Sequence, residues 1–288
     1  MASAQGTVTS WQGISTFLKT GMCSVTLCRV LDNGFAHPLE LEEKASELLA
    51  GGILARGYQC GQVWGSALAA GAEAHRRLGA GPRAEAAAVV AAQRLAESFR
   101  ARYGSCDCRS VTGVDFGDPS QIAPKVAARY FLKNGWRCFH MAGQFSVAAF
   151  GEIGSALSGD QGEAPEPPVS CAALTAQKMG APELHAVMAA GFAGGIGLSG
   201  GACGALGAAL WLLDMDDRRQ GTEKVGYKSD KAKAVIERFA ASTGSKFECR
   251  DIVGRRFESV ADHAAFLRDG GCASLIELLA AERPPAAA

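Results

Sequence analysis

Apolar positions recur along this chain at three- and four-residue spacing, the period of a helix buried on one face. Val235, Ile236 and Phe239 follow it, and Gly244 and Ser245 then stop the helix. Arg83 to Tyr103 reads as a longer amphipathic helix, preceded by Gly79, Gly81 and Pro82. A further pair is expected over Val63, Trp64 and Leu68 and over Leu206, Leu210 and Leu213. Pro38 and Pro182 each open a helix that runs toward a double glycine, where the chain must turn. Alternating strand patterns of comparable length are missing, so the fold class is all-α.

The predicted helices come in pairs because the sequence repeats itself. A shift of 143 residues without a gap places Cys28 on Cys171 and Cys60 on Cys203, with 11 identities in 34 positions; composition alone would give roughly two or three. With small gaps the match continues through Glu97, Phe99, Gly104 and Ser105 onto Glu237, Phe239, Gly244 and Ser245, and Cys108-Arg109 onto Cys249-Arg250. Residues 131–135 then match 266–270 and lead to Cys138 and Cys272. The expected organisation is a first helical repeat over residues 1–150, a linker at 151–170 rich in glycine and proline, and a second repeat over 171–288. Duplication further predicts two tandem helical bundles packed as a pseudo-dimer about a twofold axis.

Charge and composition remove several functions. Lysine plus arginine equals aspartate plus glutamate at 29 each, so no net field draws in nucleic acid. Residues 187–213 carry no charge and are long enough to span a bilayer. Their centre, from Gly194 to Gly201, breaks a helix twice, and the matching stretch of the first half holds Lys44, Glu47 and Arg56; buried core, without membrane insertion, is the expectation. Residues 1–11 show no basic run followed by an apolar stretch, so a cytoplasmic protein is expected. Ten cysteines in a reducing compartment point to metal binding or redox chemistry rather than to structural disulfides.

Eight cysteines fall into two matching sets of four, Cys28, Cys60, Cys108 and Cys138, then Cys171, Cys203, Cys249 and Cys272, leaving Cys23 and Cys106 as extras. Cys60 and Cys203 stand at the start of a helix, where free backbone N–H groups and the helix dipole favour thiolate, and an arginine follows Cys108 and Cys249. Flanking glycines, Gly57 and Gly61 or Gly201 and Gly204, leave room for close approach to the sulfur. Three readings follow. In the first, a thiolate at Cys60 or Cys203 exchanges disulfides with Cys108 or Cys138, or with Cys249 or Cys272, the partner being a redox protein or a small thiol, and the chain acts as an oxidoreductase. In the second, Cys171, Cys203, Cys249 and Cys272 converge on an iron–sulfur cluster or another metal, although no Cys-x-x-Cys pair is present. In the third, the cysteines are buried packing residues of a non-catalytic helical scaffold. The five histidines have no counterparts between halves, and the double glycines lack the dinucleotide fingerprint.

Residues 190–197 (Ala-Gly-Phe-Ala-Gly-Gly-Ile-Gly), then Cys203-Gly204-Ala205, Gly244-Ser245, Cys249-Arg250 and Cys272, occur in an order that resembles the C_GCAxxG_C_C family of redox-active proteins. That resemblance implies a four-cysteine unit with its second cysteine in a Cys-Gly-Ala motif. The four carry over to Cys171, Cys203, Cys249 and Cys272, and through the repeat to Cys28, Cys60, Cys108 and Cys138. A related segment in split-Soret cytochromes implies the iron–sulfur option. Gln62 replaces the motif's alanine in the first copy, and Ala208 stands for its closing glycine in the second.

Overall fold

A computed structural model describes residues 6–115, 124–159, 162–221 and 229–283, without the side chains of 124–135, so the side chains of the 131–135 match lie outside the described ones. The chain is all-α as expected. An opening helix α1 (Ser10–Thr20) precedes the first repeat: α2 (Cys23–Gly34), α3 (Glu40–Ala45), a 3-10 turn (Ser46–Leu49), α4 (Gly61–Leu78), α5 (Pro82–Tyr103), α6 (Cys108–Thr112) and α7 (Pro124–Ser158). The second repeat holds α8 (Cys171–Lys178), α9 (Glu183–Ala190), α10 (Gly204–Arg219), α11 (Asp230–Thr243), α12 (Cys249–Val253), α13 (Val260–Arg268) and α14 (Ala273–Ala280). Local signals set the ends. Pro82 occupies the first turn of α5 and left-handed Gly104 closes it, while the Ser229 hydroxyl caps α11 and Gly244 ends it.

The halves share one core. Trp64 and Trp211 are fully buried; Trp64 packs edge-on against Phe192 of the other half at 4.6 Å, and the Trp211 indole donates to the Glu42 carbonyl at 3.0 Å. Three pairs of repeat-equivalent residues touch each other: Glu42 with His185 at 2.9 Å, the Gln59 amide oxygen with the Ala202 N–H at 2.6 Å, and Trp64 with Gly207, whose absent Cβ would lie 2.4 Å from the indole. A residue meets its own counterpart only next to a twofold axis, so these contacts mark the pseudo-twofold of a pseudo-dimer. Residues 187–213 form buried core, and among the described residues no helix is long and apolar enough to cross a membrane.

The copies differ at their edges. Residues 151–158, expected in the linker, extend α7 by two turns. Where α7 runs unbroken through Cys138, the second half interrupts the equivalent helix at residues 269–272, with Gly270 at φ 85° and Cys272 at φ 60°. The second half has no counterpart of α1 among the described residues.

Candidate functional site

The glycine clusters build the device that presents the second cysteine of each set. Residues 51–55 and 194–198 all have positive φ, a full left-handed turn in each half. Such a turn costs about 1–2 kcal/mol for every residue with a side chain, and it holds because its anchor is fixed: Ile53 and Ile196 are fully buried. Matching hydrogen bonds span it, Gly57 N–H to Gly51 carbonyl (3.0 Å) and Gly200 N–H to Gly194 carbonyl (2.9 Å). The chain then enters a short antiparallel bridge, Gln59 with Asp107 or Ala202 with Glu248. Cys60 N–H donates to the Cys106 carbonyl (2.7 Å) and Cys108 N–H to the Tyr58 carbonyl (2.6 Å); Cys203 and Cys249 repeat this with Phe247 and Gly201 at 2.8 and 2.6 Å. The second and third cysteines are thereby clamped side by side despite their distance in sequence.

The first cysteine comes from the start of α8 or α2, and here the structure departs from the ungapped match. Cys171 is the first residue of α8, and its thiol receives the Gly194 N–H. The thiol in the equivalent place is Cys23, first residue of α2, whose pKa is set mainly by the neighbouring Cys60 and the Gly51 backbone. Gly61 permits this approach, since a Cβ there would lie 2.5 Å from the Cys23 sulfur. Cys28 sits more than a helical turn further on, fully buried, donating to Asp32 Oδ2 at 3.5 Å among Asp32, Glu42 and Glu43. The sequence placed Cys28 opposite Cys171; the structure places Cys23 there, because α2 begins a turn earlier than its counterpart. Cys108 and Cys138 both feel the charge of Cys23, which completes a first tetrad of Cys23, Cys60, Cys108 and Cys138. Cys106 stays outside it, buried and donating to the Ala96 carbonyl at 3.3 Å, at the place taken by Phe247 in the second half.

The second tetrad is Cys171, Cys203, Cys249 and Cys272, the four anticipated residues. They line one small cavity, about 20 Å³, walled by Val253, Phe257, Phe266 and Leu275. His263 also faces it, its Nδ1 bonded to the Val169 carbonyl at 3.0 Å.

The two tetrads ionise differently. Burial pushes Cys203, Cys272 and Cys138 up to about 12, and Cys108 and Cys249 higher still. Loss of hydration thus outweighs the helix start at Cys203 and the arginines beside Cys108 and Cys249. Those arginines turn outward to their own acids, Arg109 to Asp115 at 3.0 Å and Arg250 to Glu248 and Asp251. The expected thiolates at Cys60 and Cys203 are accordingly not found. Cys23 is the exception: the proximity of Cys60 pulls it down to about 7 and drives Cys60 up. Cys23 is also half-buried rather than sealed.

A four-iron cluster does not fit the second cavity, which has room for roughly one water. Among the described residues no group of three or more histidine, cysteine, aspartate or glutamate side chains is placed to hold a metal ion.

A family model described as "Putative redox-active protein (C_GCAxxG_C_C)" matches residues 22–148 and again 169–282. The matches open one residue before Cys23 and two before Cys171, the register in which α2 and α8 begin. No curated protein and no solved structure matches the chain.

Proposed function

The chain belongs to the C_GCAxxG_C_C family, and from that premise we propose that it is redox-active and works by thiol–disulfide exchange at Cys23 and Cys60. The observation that carries this reading is the Cys23 sulfur seated on Gly61, directly beside Cys60, with Cys23 the one thiol among the described residues pulled below its ordinary value. Thiolate is the attacking species. Cys23 attacks a substrate disulfide, forming a mixed disulfide and releasing the first thiolate, which takes a proton from water. Cys60 then gives up its proton, attacks the Cys23 sulfur, closes a Cys23–Cys60 disulfide and releases the second thiol. The substrate gains two electrons and the pair loses two; an external dithiol restores the pair, as a cytoplasmic setting would allow.

In this reading Cys108 and Cys138 tune the pair, Cys28 and Cys106 are packing residues, and the second tetrad stays protonated. The cluster reading rests on the convergence of Cys171, Cys203, Cys249 and Cys272 on one cavity, and the size of that cavity stands against it. One experiment separates the two. Protein purified without oxygen is assayed for visible absorption, iron and sulfide, then alkylated with iodoacetamide between pH 5 and 9 and mapped by peptide. Colourless protein with Cys23 reacting first supports exchange; stoichiometric iron and sulfide, or no thiol reacting ahead of the rest, overturns it.

A further inference from the structure

Every large hydrophobic side chain exposed among the described residues lies on α1 or α7: Trp11 (69% exposed), Leu18 (59%), Trp136 (76%) and Val147 (43%). The two helices cross closely, because a Cβ on Gly13 would meet the Ala142 carbonyl at 2.4 Å and one on Gly143 the Ser10 carbonyl at 2.8 Å. Trp11 and Leu18 share one face of α1, seven residues apart, and Trp136 and Val147 share one face of α7, eleven apart. The patch leads to the sulfurs of the first tetrad. Leu18 precedes Cys23 by five residues of a tight connection, and Trp136 precedes half-buried Cys138 by two. Its charge has one sign: Lys19 and Arg137 are exposed, no ion pair holds either among the described residues, and no acid occurs in α1 or between Trp136 and Gly151. The Arg137 guanidinium also lies close enough to lower the Cys138 thiol.

We infer that this α1–α7 face docks a protein substrate whose disulfide is set in an apolar surface with an acidic rim. The inference rests on the exchange reading above and names its partner class. Tryptophan and arginine are among the residues enriched at the energetic centres of protein interfaces, and here they lie two residues and one residue before Cys138 of the first tetrad. Two cations are too few to hold an anionic membrane. Among the described residues the second half has neither an exposed large apolar side chain nor a thiol whose pKa is lowered, so docking and chemistry occur on the same half.

The test uses the full-length reduced chain and two disulfide-bonded peptides of equal length, one apolar and acidic, the other polar and basic, with 2-hydroxyethyl disulfide as a small neutral control. The chain is expected to reduce the acidic peptide about tenfold faster than the basic one, with the advantage shrinking as salt is added. Trp136→Ser and Lys19→Glu should remove the preference and leave the rate with 2-hydroxyethyl disulfide within about twofold of the wild type, a control that also reports folding. Equal rates with both peptides, or a preference that survives both variants, overturns the inference. So does a dimer that Trp136→Ser dissociates in sedimentation, or binding to phosphatidylserine vesicles that the variant abolishes, since either assigns the face to another occupant. Failure to reduce even the small disulfide would instead sink the exchange reading; peptide binding by fluorescence anisotropy then decides the docking face separately.

Discussion

The two halves carry the same clamp and end with different chemistry. In each, a left-handed turn delivers a cysteine to the start of a helix and a backbone bridge sets a second one beside it. In the first half the Cys23 sulfur sits on Gly61 beside Cys60, which pulls its pKa down to about 7. In the second, Cys171, Cys203 and Cys249 are buried around an apolar cavity and keep their protons. A repeated backbone therefore does not imply repeated reactivity. A thiol's proton answers to hydration and to the nearest hydrogen-bonding group, and both depend on side chains at the edge of the repeat.

The sharpest way to break this comparison is to remove one sulfur from each half. Cys23→Ser is expected to slow the fastest alkylation at pH 7 by at least about 100-fold, because the remaining thiols hold their protons to much higher pH. Cys171→Ser and Cys28→Ser should leave that phase intact. Stopped-flow alkylation with peptide mapping checks all three, and the wild-type rate should rise with pH through a midpoint near 7.

The motif glycines should also part ways. Alanine at Gly204 would put a Cβ 2.0 Å from the Phe192 carbonyl, a backbone atom that cannot yield, so Gly204→Ala should cost about 2–3 kcal/mol in urea melts. Gly61→Ala meets the Cys23 sulfur instead, and its main effect should be to separate the pair and return the Cys23 titration toward 9.

A smaller effect tests the seam between the halves. Burial pushes the Glu85 carboxyl on α5 up to about 7, where Gln177 of α8 donates to it at 3.1 Å. Its folded pKa lies above the unfolded value of 4.5, so the stability contributed by its proton is complete below about pH 4.5 and lost as pH rises through 7. Glu85→Gln should stabilise the chain by about 2 kcal/mol at pH 8 and by little at pH 5, read from paired denaturation curves. The smallest change concerns the turns. Leu54 has φ 44° where the second copy has Gly197, so Leu54→Gly should gain up to about 1 kcal/mol. Gly197→Ala should lose stability, since its Cβ would lie 2.2 Å from the Gln93 nitrogen.

Much of the architecture was legible because it rests on local chemistry. Pro82 and Gly104 around α5, Ser229 and Gly244 around α11, and the glycine runs before Cys60 and Cys203 are signals that act within a few residues. The set Cys171, Cys203, Cys249 and Cys272 could be read because the motif order is intact in the second half. In the first half the ungapped match favoured Cys28, and the available hint was that Cys23 stood unexplained one turn earlier. Placing Cys23 opposite Cys171 instead would have required knowing that α2 is longer than α8.

By itself the sequence determined the duplication, the all-helical class and the glycine turns, because identities at a constant offset, helical periodicity and positive φ are properties of short segments. Only the tertiary structure decided which thiols meet and which one ionises. Cys23 joins Cys60 because α2 starts early and Gly61 leaves space, and its pKa falls because Cys60 lies beside it. Cys203, at the same kind of helix start, stays neutral in a dry cavity. Those outcomes depend on distances and hydration between segments remote in sequence, and spacing along the chain does not record either.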